Sequence, residues 1–236
     1  MERIICLAIG YAFGLIQTGY LVGRAKGIDI RDYGSKNAGT TNVLRTLGKK
    51  YGFLVLLGDA LKCIAAVLVI KLIFSDRYPD TICLLALYGS AGVILGHNFP
   101  FYMNFKGGKG IAATLGMALS YCFLVRYGIL VPVIGFGMFL VIFFITNYVS
   151  LGSIVGYIML FVAIVIFGER GAYGFPADSN RTLLTEYYVV FGVLTVMAIY
   201  RHKENIKRLI AGNERKTYLK SNPEIDVSRE ADTDKC

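Results

Sequence analysis

Apolar runs long enough to cross a lipid bilayer recur along most of this chain, and nothing else constrains its fold as strongly. A bilayer's hydrocarbon core takes about 20 helical residues to cross, with a usual range near 17–25. Backbone in that core must satisfy its own hydrogen bonds, so only helices and closed barrels span it. The runs are continuous rather than alternating, which points to helices. They fall at 4–22, 51–74, 81–95, 111–125, 128–146, 151–167 and 184–200. With 55% hydrophobic residues in 236, the expectation is an all-α integral membrane protein, a bundle of seven transmembrane helices in one domain over 1–212. From Asn213 the charges mix and apolar periodicity stops, so 213–236 reads as a mobile cytoplasmic tail. The first run continues into Gly23-Arg24 with no small-residue cleavage pattern, and is read as a span rather than a leader.

Lys and Arg orient the spans. One set of loops collects Arg24, Lys26, Arg31, Lys36, Arg45, Lys49, Lys50, Lys106 and Lys109 and every Lys and Arg from Arg201 onward. The other set holds only Arg3, Arg77, Arg126, Arg170 and Arg181. The positive-inside bias then puts the N-terminus outside and the C-terminus in the cytoplasm, as an odd span count requires. That bias also accounts for the net charge of +9; no basic domain stands apart from the spans, so no nucleic-acid partner is expected. Cys6, Cys63, Cys83 and Cys122 lie in apolar runs and Cys236 is the last residue. None has metal-ligand spacing, and all read as small hydrophobes.

Three polar, basic patches interrupt the apolar pattern, all on the cytoplasmic side: 34–45, 96–110 and 201–205. The first offers hydroxyls (Ser35, Thr40, Thr41), amides (Asn37, Asn42) and cations (Lys36, Arg45). Arginine suits a bidentate grip on phosphate. In the second, Lys106-Gly107-Gly108-Lys109-Gly110 immediately precedes an apolar run. Free backbone N–H groups, a helix dipole and the Lys109 charge can meet there, and glycine lets an anion approach. It is not a Walker A loop, which needs Ser or Thr after the lysine. A flexible positive-inside loop explains the same residues. In the third patch His202 and Asn205 are spaced to share a helix face. Ser150 and Ser153 open the sixth run, Ser150 reading equally as an N-cap. Asp59 and Lys62 are charges inside the second run, where a structural ion pair is at least as good a reading as a functional one.

At these residues the chain resembles the bacterial acyl-phosphate:glycerol-3-phosphate acyltransferases (the PlsY family). The matching motifs are Gly34-Ser35-x-Asn37-x-Gly39-x-x-Asn42-x-x-Arg45; Gly96-His97-x-x-Pro100 with Phe105-Lys106-Gly107-Gly108-Lys109-Gly110; and Ser150-Leu151-x-Ser153 with His202-x-x-Asn205-x-x-Arg208-Leu209, then Gly212 and Glu214. Asp59-x-x-Lys62 also looks like the family pattern. Two features depart from it: Asn147 stands where a basic residue is usual, and the outer loop 168–181 is long. The chain lacks the His-x4-Asp motif of coenzyme-A-dependent acyltransferases.

The resemblance implies transfer of a fatty acyl group from acyl phosphate to the 1-hydroxyl of sn-glycerol 3-phosphate in the cell's inner (plasma) membrane, the site facing the cytoplasm. Products are lysophosphatidic acid and phosphate, in the first acylation step of phospholipid synthesis. No metal, cofactor or obligate protein partner is implied; the partners are the two substrates and membrane lipid. Catalytic residues by resemblance are Ser35, Arg45, Lys109, His202 and Asn205. Substrate-binding residues are Lys36, Asn37, Asn42, Gly107, Gly108, Gly110, Ser150 and Ser153. His202 and a substrate phosphate both stand as candidates to take the hydroxyl proton. The alternative is a membrane transporter of an organic phosphate, but transport sites sit near the midplane, often between repeats. A CDP-alcohol phosphotransferase would need several Asp at fixed spacing.

Overall fold

The structure, a computed structural model, describes residues 1–126 and 128–218. Those residues form ten α-helices, and among them there is no strand. They are α1 (Glu2–Gly14), α2 (Thr18–Arg24), α3 (Thr40–Leu47), α4 (Lys49–Phe74), α5 (Ile82–Asn98), α6 (Ile111–Leu124), α7 (Leu130–Thr146), α8 (Val149–Glu169), α9 (Asn180–Arg201) and α10 (Lys203–Ile210). Each of the seven apolar runs is helical. Five stretches are long and apolar enough to cross a membrane: Glu2–Arg24, Lys49–Phe74, Pro79–Met103, Val149–Glu169 and Asn180–Arg201. The other two, α6 and α7, are 14 and 17 residues. At 1.5 Å per residue they reach only about 21 and 25 Å.

The first run is one span by composition but two helices in fact, because α1 ends at Gly14 and α2 starts at Thr18. The third run is longer than its apolar stretch predicts. Gly96, His97 and Asn98 continue α5 because each is buried against neighbours, so polarity does not end the helix there.

Close backbone approach holds the bundle. Without water to drive association, membrane helices pack through small residues. On α1 and α5 these are Gly10, Gly14, Gly89, Gly92 and Gly96: a Cβ on Gly10 would sit 1.8 Å from the Gly89 carbonyl oxygen, and one on Gly96 2.4 Å from that of Tyr11. A Cβ on Gly116 of α6 would likewise sit 2.1 Å from the Ala60 carbonyl oxygen of α4. α7 and α8 form an antiparallel pair that turns at Asn147. That residue is left-handed (φ 58°), a conformation asparagine tolerates better than most residues. Apolar side chains such as Leu72, Phe144 and Ile145 remain exposed on the outer surface, where lipid covers them.

Past Asn213 the chain is packed over its first residues. Glu214 and Thr217 are buried; the rest of the expected tail, 219–236, lies outside the described residues.

Candidate active site

A cavity of about 900 Å³ gathers all three patches. Ser35, Arg45, Lys109, His202 and Asn205 line one end of it. α4, α6, α7 and α8 supply the apolar remainder, including Leu56, Leu115, Phe136, Phe139, Phe143 and Leu160. The cavity is therefore amphiphilic: a cationic head and a greasy trough.

The cationic head is organised around one carboxylate. Glu214 Oε1 accepts from Ser150 Oγ at 2.7 Å and Asn205 Nδ2 at 2.6 Å, and Oε2 accepts from Arg208 Nε at 2.8 Å. Burial raises the Glu214 carboxyl's pKa, but these three donors outweigh it and hold the group below the usual carboxylate range. Asn205 in turn accepts from Lys109 Nζ. Burial, with the neighbouring arginines, lowers the Lys109 ammonium to about 8. Burial and the nearby Arg215 likewise lower the Arg45 guanidinium to about 10. Both are penalised cations, which an arriving phosphate dianion would relieve.

His202 closes α9 and opens α10, so it and Asn205 do not share one continuous helix as their spacing predicts. Both still reach the cavity. Its Nδ1 lies 2.8 Å from the Ala198 carbonyl oxygen. A carbonyl only accepts, so Nδ1 carries the proton and Nε2 keeps a lone pair. Burial, then the Lys109 charge, lowers this imidazole to about 4. It is neutral at physiological pH and only a weak base.

Lys36, Asn37, Asn42, Ser150 and Ser153 also line the cavity, and most of them make hydrogen bonds that build it. Asn42 is buried; its Oδ1 accepts from the Ser35 N–H at 2.8 Å, and its Nδ2 donates to the Ile30 and Tyr33 carbonyls, each at 3.0 Å. Asn37 Oδ1 accepts from the Gly39 N–H at 2.9 Å, shaping the entry to α3. Lys36 takes a left-handed conformation at the rim. Ser150 is the second residue of α8, after the N-cap Tyr148, so it caps Glu214 instead of the helix. Ser153 Oγ donates back to the Val149 carbonyl at 2.8 Å.

The glycine loop departs furthest from its sequence reading. The Gly107 and Gly108 N–H groups donate to the Asn98 and His97 carbonyls at 3.2 and 3.0 Å, and neither residue lines the cavity. A Cβ on Gly108 would lie 2.0 Å from His97 Nε2. These glycines let the loop pack on the end of α5. The cavity-facing backbone lies one step later. Gly110 is left-handed (φ 80°), and α6 starts there with no side-chain cap. Lys109, Gly110, Ile111 and Ala112 line the cavity, so the uncapped N-terminus of α6 and a lysine border the same space.

Comparison with known proteins agrees with this geometry. A family model described as glycerol-3-phosphate acyltransferase matches residues 4–212. The chain belongs to the glycerol-3-phosphate acyltransferase family. A member from Thermosipho melanesiensis is 38% identical over 220 residues, covering 92% of this chain and 94% of its own. One from Geobacter sulfurreducens is 41% identical over 217 residues, covering 91% and 97%. The fold also matches two crystal structures of PlsY (YgiH), an integral membrane glycerol 3-phosphate acyltransferase. Its glycerol 3-phosphate form aligns with TM-score 0.75 at 32% identity over 92% of this chain and 96% of that one. The lysophosphatidic acid form gives 0.73 at 32% over 93% and 97%.

Around this cavity, sequence reasoning left some residues out of the candidate set. Arg201 Nη2 donates to the Gly107 and Gly108 carbonyls at 2.9 and 2.7 Å, pinning the glycine loop. Arg208 and Glu214 follow the third patch and were legible as part of its motif. Asp59 and His97 also line the cavity. Thr217 carried no sequence signal at all.

Proposed function

We propose that this glycerol-3-phosphate acyltransferase moves a fatty acyl group from acyl phosphate to the 1-hydroxyl of sn-glycerol 3-phosphate. One observation carries the reading. Three basic patches far apart in sequence close on one cavity whose other wall is apolar, a shape for substrates with an anionic head and an acyl tail. The donor is a mixed anhydride and already activated, so positioning and charge stabilisation suffice. The 1-hydroxyl oxygen attacks the acyl carbon, the carbon–oxygen bond to phosphorus breaks, and phosphate leaves with the electron pair. Arg45, Lys109 and the α6 N-terminus follow that charge. The hydroxyl proton passes to a substrate phosphate, whose second pKa near 6 makes it a better base than His202 at about 4. His202 Nε2 then orients the hydroxyl as an acceptor.

The same reading places the cationic head on the cytoplasmic side of the plasma membrane, in a seven-span chain with its N-terminus outside. Support comes from the Lys and Arg asymmetry of the loops and from the common cavity. α6 and α7 then cross the membrane as short helices within the bundle.

Purified protein in detergent, given palmitoyl phosphate and glycerol 3-phosphate, is expected to release lysophosphatidic acid and inorganic phosphate in equal amounts. Activity with palmitoyl coenzyme A but not palmitoyl phosphate would reject the donor. Absence of transfer, with flux of glycerol 3-phosphate into proteoliposomes, would favour a transporter.

A further inference from the structure

The segment after α10 reaches back into the cavity head and takes hold of Arg45. Arg45 Nε donates to Thr217 Oγ1 at 3.0 Å, across 172 positions of chain. Its Nη2 donates to the same hydroxyl oxygen and, at 2.9 Å, to the Arg215 carbonyl. Thr217 is in turn fixed: it is 3% exposed, and its N–H donates to the Asn147 carbonyl at 2.9 Å. That carbonyl sits at the left-handed corner between α7 and α8. The segment is pinned at its other end by Glu214, which Ser150, Asn205 and Arg208 hold. Thr217 lies beyond the family match, which ends at residue 212.

We propose that Thr217 is a positioning residue for acyl transfer: its hydroxyl oxygen, fixed by the α7–α8 corner, holds the Nε and Nη2 donors of Arg45 and leaves Nη1 for the phosphate in the cavity. A free arginine has a long stem, and ordering it during the reaction costs entropy. A guanidinium already held in place meets the developing charge without reorganising. The hydroxyl acts only as an acceptor here, so a residue of the same shape without the oxygen isolates its role. Valine removes the acceptor and keeps the volume; serine keeps the acceptor.

This inference rests on the acyltransferase reading. The rate of the unaltered protein tests that reading, and the ratio of variant to unaltered protein tests Thr217. Full-length Thr217→Val, Thr217→Ser and Thr217→Ala are assayed in detergent with palmitoyl phosphate and glycerol 3-phosphate. Thr217→Val is expected to lower kcat about tenfold or more, the size of a lost hydrogen bond to a charged group, with KM for glycerol 3-phosphate little changed. Thr217→Ser is expected to keep most of the rate. In an Arg45→Lys background, Thr217→Val should cost little more, because the partner is already gone. If Thr217→Val fails to fold, Thr217→Ala against Thr217→Ser makes the same comparison. An unchanged kcat overturns the proposal. So does a faster variant, which would mean that the segment competes with phosphate for Arg45. An equal loss in the Arg45→Lys background also overturns it, since Thr217 would then act on the fold and not through Arg45.

Discussion

Two charged clusters border the same cavity, and they differ in the balance of their charges. In the first, Lys62 Nζ donates to the Ile16 carbonyl at 2.6 Å, to Asp59 Oδ1 at 2.8 Å and to His97 Nδ1 at 2.9 Å. An ammonium has three protons, and here each has a close acceptor. The charges of Lys62 and Asp59 cancel. Thr18 Oγ1 adds a bond to Asp59 at 3.0 Å. The cluster thereby ties the break between α1 and α2 to α4 and α5. In the second, Arg45, Lys109, Arg201 and Arg208 gather near one buried carboxylate, Glu214. Positive charge is in excess. A balanced cluster holds helices together. An unbalanced one is costly unless an anion completes it, which is the part the proposed function gives to a substrate phosphate.

That contrast is tested most severely by breaking the balanced side. Lys62→Met leaves the Asp59 carboxylate buried and unpaired, and is expected to destabilise the protein by about 3–5 kcal/mol. Thermal unfolding in detergent should show the loss, and the double variant Asp59→Asn with Lys62→Met should recover most of it. A Lys62→Met protein with normal stability but no turnover would place this cluster in the chemistry instead.

The next largest effect belongs to the unbalanced side. Arg45→Ala and Arg45→Lys should both lose on the order of 10²-fold or more in kcat/KM, as for one preorganised donor, with unfolding temperature nearly unchanged. Lysine keeps the charge but cannot bond Thr217 and a phosphate together. A Lys variant retaining most activity would reduce Arg45 to a point charge, and a normal rate for Arg45→Ala would remove it from the site.

A smaller, graded effect should follow pH. The Lys109 ammonium sits at about 8 in the free protein, so the cation is present below that pH and lost above it. kcat/KM is expected to fall as pH rises through about 8, and Lys109→Arg should push that limb to higher pH. His202 at about 4 contributes no limb near neutrality. An alkaline limb unmoved in Lys109→Arg would assign it to another group.

The smallest effect should come from cysteine. Cys6, Cys63 and Cys83 are buried, and none of them or Cys122 lines the cavity. Replacing every cysteine with alanine should leave kcat roughly unchanged. An acyl group trapped on any side chain during turnover would reject direct transfer.

Much of the architecture was legible because bilayer crossing depends on a local sum of hydropathy. All seven apolar runs became helices. What was not legible has one cause. Ser150 looked like a cap, Gly107 and Gly108 like an anion cradle, and Asn42 like a ligand. Each reading assumed that a polar group near an interface is free. Asn42 is spent on the Ile30, Tyr33 and Ser35 backbone, Ser150 on Glu214, and the glycine N–H groups on the end of α5.

The sequence by itself determined the membrane class, the helical runs and the concentration of basic patches on one side. These follow from composition over short windows. Only the tertiary structure decided which donors remain for a substrate. A hydrogen bond is exclusive, and its partner here often lies far along the chain: Arg45 is held by Thr217, Lys109 by Asn205, and Ser150 by Glu214. No window of sequence contains both members of such a pair, so the division between groups that build the site and groups that serve it appears only when the helices are packed.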